Sequence, residues 1–302
     1  MLLGGIEGGG TKFRCGVSTQ PGRLAAEVAI PTTTPEETLG RVAQFFRETT
    51  GGRRLDALGI ASFGPLDLRH GSQTYGYITA TPKPQWNDVD LVGRIAATVA
   101  TDAIAFDTDV NAAAIAEYRW GAGRGVGTLA YVTVGTGIGA GILVDGRPLH
   151  GLVHPEFGHI RIPQDHEADT FPGCCPVHGN CLEGLASGRA VAARTAALPE
   201  QLPPDHPVWS LAAHYLALGL ANLICIASPE RIIVGGGVSQ GLSWSALHAG
   251  VRSTLGGYLR PPELNDAISQ YIVPPMLGQD AGLLGALAMA EAAVTQEASA
   301  AT

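Results

Sequence analysis

His159, Cys174, Cys175, His178 and Cys181 stand within one short, polar stretch of the chain. The spacing Cys175-x-x-His178-x-x-Cys181 puts three soft ligands on a short loop, and His159 completes a four-coordinate set of the kind that binds zinc. Four protein ligands leave no open coordination position. The spacing therefore predicts a structural zinc that pins residues 160–181, not a catalytic one. Cys174 falls outside the two-residue rhythm and reads as a spare thiol. Glu156 lies just before His159 and Glu183 just after Cys181, so a fixed loop would fix both carboxylates. Carboxylates so placed suit the hydroxyls of a polyol, which donate hydrogen bonds to them. Glu183 suits the first turn of a helix equally well.

A second carboxylate, Asp109, falls where a strand gives way to a helix in the run DTDVN at 107–111. It reads either as the helix N-cap or as a catalytic base. As a base, the helix amino end would keep it ionised and hence weak. A weak base suffices for phosphoryl transfer, where positioning the hydroxyl and neutralising charge matter more than basicity.

Glycine turns supply the complementary anion sites. Residues 3–7 run as a strand into Gly8, Gly9, Gly10, Thr11 and Lys12, and a second strand follows over 13–18. The pattern returns at 131–144, where Gly135, Thr136 and Gly137 make the turn. Tight glycine curves expose backbone N–H groups that cradle phosphate oxygens. One such turn is also an ordinary hairpin. Two suggest a duplicated unit with a nucleotide's phosphates held between the copies. The spacing is neither that of a P-loop nor, since residues 13–18 continue as strand, that of a dinucleotide fingerprint. Gly235, Gly236 and Gly237, after a strand at 231–234, offer a third close backbone approach suited to the adenosine.

The elements that must position these groups follow an α/β order. Strands at 3–7, 14–18 and 23–30 open it as a meander, and a helix follows over 35–49 with Thr34 as cap and Pro35 at its first position. An apolar strand at 55–61 ends in Gly64–Pro65, at the carboxyl edge where open α/β sheets place ligands. Residues 66–87, with Tyr75, Tyr77 and Trp86, read as a surface loop packed by its own aromatics or as a substrate-side lid. Helices are expected at 88–100, 109–120, 182–197, 208–227, 243–256 and 280–291, and strands at 103–106, 128–134, 139–144, 231–234 and 271–274. From Thr295 the tail reads as frayed.

Bulk properties narrow the class. The chain has 302 residues, 45% hydrophobic and 15% charged, a compact globular composition with room for two domains. A net charge of −8 argues against nucleic acid as partner. No signal-like segment and no uninterrupted stretch of transmembrane length are expected. Five cysteines, three of them in one loop, do not form an extracellular disulfide framework, and a cytoplasmic metalloprotein fits better.

Taken together, the motifs resemble the ROK family of sugar kinases, which has an actin-like, ribonuclease H-like two-domain ATPase fold. The resemblance is carried by GGIEGGGTKFRCGV at 4–17, FGPLDL at 63–68, TATPKPQW at 79–86 and DTDVNAAAIAE at 107–117. VTVGTGIGAGI at 132–142, HPEFGHI at 154–160, CPVHGNCLEGLASG at 175–188 and ERIIVGGGV at 230–238 complete it. The match is closest to the family's bacterial fructokinase branch.

That resemblance implies phosphorylation of fructose at its 6-hydroxyl by Mg²⁺-ATP, with Asp109 as base. Glu7, Gly8, Gly9, Gly10, Thr11, Lys12 and Thr136 would line the phosphate and metal site, with Gly236 and Gly237 nearer the adenosine. Gly64, Thr108, Glu156, His159 and Glu183 would face the sugar, and His159, Cys175, His178 and Cys181 would hold a structural Zn²⁺. It implies an N-terminal lobe of residues 1–118 completed by a C-terminal helix at about 281–298, and a second lobe of 119–280 carrying the zinc loop 159–181. A cytoplasmic homodimer is expected, with no membrane or nucleic-acid partner.

Two departures bear on the substrate. Glu7 stands where the broader family has Asp, and Thr108 where glucokinases have Asn; both resemble the fructokinase branch. Mannose, glucose or an N-acetylhexosamine is the alternative substrate class. A non-catalytic sugar sensor is the alternative of a different kind, but sensing needs no base.

Overall fold

The computed structural model describes residues 1–300, with side chains as far as Thr295. The chain divides into two compact units, residues 1–124, 147–154 and 279–302 in one and 125–146 and 155–278 in the other. Relative to the expected lobes, the first unit runs past residue 118 and also takes in Arg147–His154, a segment without a periodic signal.

The first unit is built on a mixed sheet of order β3-β2-β1-β4-β7, formed by β1 (Leu3–Gly8), β2 (Lys12–Ser18), β3 (Ala26–Pro31), β4 (Ala57–Ser62) and β7 (Ile104–Thr108). β1 pairs antiparallel with β2 and parallel with β4, and β4 pairs parallel with β7. Every residue of β4 is buried, as its unbroken apolar run requires of a central parallel strand. Helix α1 (Pro35–Thr50) starts as expected: the Thr34 side chain accepts from Glu37 N, and Gly51 at φ 62° ends the helix in the left-handed region.

Between β4 and β7 lie a two-stranded ribbon, β5 (Tyr77–Ile78) and β6 (Val89–Asp90), and a short helix α2 (Leu91–Ala96). The helix expected over 88–100 is shorter because Asp90 caps it from Gly93 N and Asp88 sits at φ 57°. The 66–87 segment is anchored by its aromatics to residues outside it more than to one another. Trp86 is wholly buried against Phe13 and Phe63 and donates through Nε1 to Thr33 O at 2.8 Å. Asp67 ties the segment internally, accepting from Arg69, Ser72 and Thr74.

Helix α3 (Asp109–Trp120) leaves the end of β7, and helix α9 (Ala281–Ala300) returns to pack against it. This contact needs small residues. A Cβ at Gly285 would stand 1.8 Å from the carbonyl oxygen of Ala112. The tail expected to fray from Thr295 is helical to Ala300, and its last two residues lie outside the described residues.

The second unit repeats the plan. β8 (Thr128–Val134) pairs antiparallel with β9 (Ile138–Val144) and parallel with β11 (Arg231–Gly235), which pairs parallel with β12 (Ile272–Val273); the two-residue strand β10 (Arg147–Pro148) groups with the first unit. The duplication suggested by the two glycine turns is thus visible as β2-β1-β4 matched by β9-β8-β11.

Its helices are α4 (Leu182–Ala186), α5 (Gly188–Thr195), α6 (Val208–Ala227), α7 (Trp244–Leu255) and α8 (Ile268–Tyr271). The single helix expected at 182–197 is two, because Ser187 takes an extended backbone and caps α5 from Ala190 N. By length and composition alone α6 could cross a membrane, but Ser210, His214 and Asn222 interrupt its apolar run as expected, and it packs in the unit's core through Trp209, Tyr215, Leu216 and Leu220.

Close approach and mere glycine permissiveness make opposite predictions. Gly285→Ala should destabilise by about 2 kcal/mol or more, since backbone must shift. Gly40→Ala, in exposed helix with nothing near its Cβ, should stabilise by about 0.5–1 kcal/mol. Thermal melts of both variants check the signs.

Candidate active site

In the first unit the turn between β1 and β2 is closed by Gly9 N donating to Lys12 O at 2.9 Å. Thr32 braces it from β3's end, donating through Oγ1 to Gly9 O at 2.7 Å and through its N–H to Thr11 O at 2.9 Å. Gly10, Thr11 and Lys12 are exposed, and nothing lies within 4 Å of where a Gly10 Cβ would stand. The turn therefore presents open backbone and one lysine, the composition of an anion cradle.

Glu7 ends its side chain beside Gly282 at the start of α9. Arg14 Nη1 is 3.8 Å from Glu7 Oε2, but Arg14 bonds more closely to Glu27 and Asp280, each at 2.8 Å. Burial pushes the Glu7 pKa up to about 7 although Arg14 opposes it. Glu7 Oε2 is buried without a hydrogen-bond partner. An orphaned carboxylate oxygen beside an open glycine turn fits a hard divalent cation such as Mg²⁺.

Asp109 opens α3, but Thr108, not Asp109, is the N-cap: the Thr108 side chain accepts from Asn111 N at 3.1 Å. The threonine that replaces an amide thus has a local structural task. Asp109 is free of capping and accepts only a backbone hydrogen bond, from Val110 N at 2.9 Å. Burial raises its pKa to about 6, outweighing the backbone hydrogen bonds that lower it. The expectation of a carboxylate held weakly basic by the helix end is corrected accordingly. Desolvation wins, and the group is a stronger base poised near neutral pH.

Beneath Asp109, the buried Asp107 accepts from Thr108 N and from Asn111 Nδ2, each at 2.7 Å, and its Oδ2 lies 3.0 Å from His150 Nε2. Gly64 follows β4, and the next turn is held by His154 Nε2, which accepts from Leu66 N at 3.0 Å.

In the second unit Gly135, Thr136 and Gly137 turn tightly, with Gly135 N donating to Gly137 O at 2.9 Å; Thr136 is exposed. Glu183 reaches this turn. Its Oε2 accepts from Ile138 N at 3.0 Å, and a Cβ at Gly137 would stand 2.5 Å from that oxygen. Its Oε1 accepts from Arg189 Nη2 at 2.6 Å. Glu183 thus braces the glycine turn, and each of its oxygens keeps one lone pair. Gly236 sits at φ 90°, a left-handed backbone that favours glycine, and Gly237 is open.

The four metal-ligand candidates converge. His159 Nδ1 is 3.3 Å from His178 Nδ1, 3.7 Å from Cys175 Sγ and 3.6 Å from Cys181 Sγ. Cys175 Sγ is 3.7 Å from His178 Nδ1, and all four ligand atoms lie within 4.8 Å of one another. A tetrahedral zinc, at about 2.0 Å from nitrogen and about 2.3 Å from sulfur, requires edges of about 3.3–3.8 Å. The set fits zinc in donor type and in spacing. The other ring nitrogen of His159, Nε2, lies 3.9 Å from Glu156 Oε2, beyond direct hydrogen-bond distance. Cys174 stands outside the set. Arg161 holds the loop by donating to His178 O at 2.7 Å and to Asn180 Oδ1 at 2.9 Å.

Comparison with known proteins decides the family. A match to the ROK family spans residues 3–293. The chain belongs to the ROK family. A fructokinase of Zymomonas mobilis is 44% identical over 299 residues, covering 97% of each chain. Among solved structures, a ROK hexokinase from Thermus thermophilus is 30% identical with a TM-score of 0.78, covering 98% of this chain and all of the other. A ROK family glucokinase from Streptomyces griseus, in complex with glucose and AMPPNP, is 27% identical with a TM-score of 0.75, covering 97% of this chain and 100% of that one. The ROK sugar kinase fold is therefore the fold of this chain.

Sequence reasoning missed Thr32, Arg14, His150, His154, Arg161 and Arg189. All but Arg189, whose partner Glu183 is close in the chain, act through partners distant in sequence. The two histidines that bracket HGLVH at 150–154 were the available signal for two of them.

The raised pKa of Asp109 has a stability cost with a definite sign. Its folded pKa exceeds the unfolded one, so folding favours the protonated form and stability falls as pH rises from about 4 through about 6. Asp109→Asn should therefore raise Tm at pH 8, with the gain disappearing by about pH 4. Melts of both proteins across that range test it.

Proposed function

We propose that this chain is an ATP-dependent fructokinase that converts D-fructose to fructose 6-phosphate. The near-full-length identity to a fructokinase supports the substrate, and Asp109, uncapped and poised near neutral pH, supports the chemistry. The 6-hydroxyl gives its proton to Asp109 as its oxygen attacks the γ-phosphorus of ATP, and ADP leaves. Gly64, Thr108, Glu156, His159 and Glu183 face the sugar in this reading. Gly8, Gly9, Gly10, Thr11, Lys12 and Thr136 receive phosphates, and Gly236 and Gly237 the adenosine. Mg²⁺ at Glu7 supplies charge neutralisation when bound. A structural Zn²⁺ on His159, Cys175, His178 and Cys181 fixes the loop that Glu156 and Glu183 flank at its two ends. A cytoplasmic homodimer completes the reading, on family resemblance.

Coupled ADP release with Mg²⁺-ATP should give the highest kcat/KM for fructose among fructose, mannose, glucose, N-acetylglucosamine and N-acetylmannosamine. Another sugar ahead would overturn the substrate. Asp109→Asn should lower kcat about 10³-fold while fructose binding survives. In the wild type, kcat/KM should climb as pH rises through about 6, where Asp109 ionises.

Metal analysis of the purified protein should find about one zinc per chain. Its verified removal should lower Tm, because binding stabilises the folded loop. Unchanged melting and full activity without zinc would contradict the structural site.

A further inference from the structure

Arg147–His154 belongs to the first unit although the residues on either side of it belong to the second. Two histidines dock it there. His154 Nε2 accepts from Leu66 N at 3.0 Å, beside the Gly64 turn. His150 Nε2 lies 3.0 and 3.2 Å from the two oxygens of Asp107, and 3.4 Å from Asn111 Nδ2. Asp107 is 5% exposed and Asn111 is 1% exposed. Thus a buried carboxylate directly before the α3 cap receives three donors: the Thr108 N–H, the Asn111 amide and the imidazole.

A buried carboxylate is costly unless paired, and His150 is the group placed to pair it. Their hydrogen bond lifts the His150 pKa above its ordinary value against the opposing effect of burial. The same Asp107 oxygen that holds His150 holds Asn111, whose N–H in turn completes the Thr108 cap. The network therefore sets the first turn of α3 from beneath, and Asp109 is the first residue of that turn.

We propose that His150, acting through Asp107 and Asn111, is a positioning residue for Asp109 in phosphoryl transfer. The inference rests on the assignment of Asp109 as base. His150 touches no reacting atom. It holds the helix turn from which the base projects, and small displacements of a base cost rate far more than binding.

The test compares His150→Leu, His150→Gln and His150→Asn, with Asp109→Asn assayed alongside. Glutamine places its amide where Nε2 stands and can still donate to Asp107, whereas asparagine falls short. His150→Leu and His150→Asn should lower kcat for fructose about 10-fold or more while KM for ATP stays within about two-fold. His150→Gln should recover kcat to within about three-fold of wild type. Wild-type kcat in His150→Leu and His150→Asn would overturn the proposal. So would equal loss in all three variants, or a loss matched by the fall in folded protein measured by circular dichroism. If His150→Leu does not fold, the glutamine–asparagine contrast alone decides. An active Asp109→Asn would show instead that the base assignment has failed, and an inactive one beside fully active His150 variants that only this inference has.

Discussion

Everything in the first unit converges on keeping one ionisable carboxylate half-buried at the start of a helix. Burial of Asp109 raises its pKa to about 6, so its charged form costs stability at neutral pH. A helix amino terminus with four unpaired N–H groups would ordinarily recruit such a carboxylate as its cap and hold it ionised. Here Thr108 performs the capping, and Asp109 is left uncapped. The buried pairings beneath, from Asp107 to Asn111 and His150, tie the turn through neighbouring residues, and the Asp109 carboxylate itself accepts only from Val110 N. Helix α9, which packs on α3 through Gly285, supplies the surface against which that turn is rigid.

The second unit solves a different problem with the same plan. Its glycine turn is exposed and must keep its shape without a ligand. Glu183 supports it from the first turn of α4, two residues after Cys181, the last of the four metal-ligand candidates. The carboxylate is therefore set by the loop at one end and by Ile138 and Arg189 at the other. The end of the loop and the shape of the glycine turn are in this way linked through a single side chain.

The sequence made the local features legible. Hairpin turns, the Thr34–Pro35 helix start and the Cys–His–Cys rhythm each depend on residues close in the chain, and each stands as the spacing indicated. What spacing could not show were pairings between distant residues: Arg14 with Asp280, Glu183 with Ile138 N, and His150 with Asp107. The ionisation of Asp109 was misjudged for the same reason, since a helix end can be seen in sequence but burial by the surrounding fold cannot. The helix at 182–197 was missed as two because Ser187 both interrupts one helix and caps the next.

The central claim is transfer of the γ-phosphoryl group from ATP to the 6-hydroxyl of fructose. Phosphorus NMR of a reaction with Mg²⁺-ATP and fructose labelled with ¹³C at C6 reads it directly. The account predicts one new sugar monophosphate resonance, growing with ADP and split by the labelled carbon. Inorganic phosphate as the sole new product, or a sugar phosphate without that splitting, would contradict it.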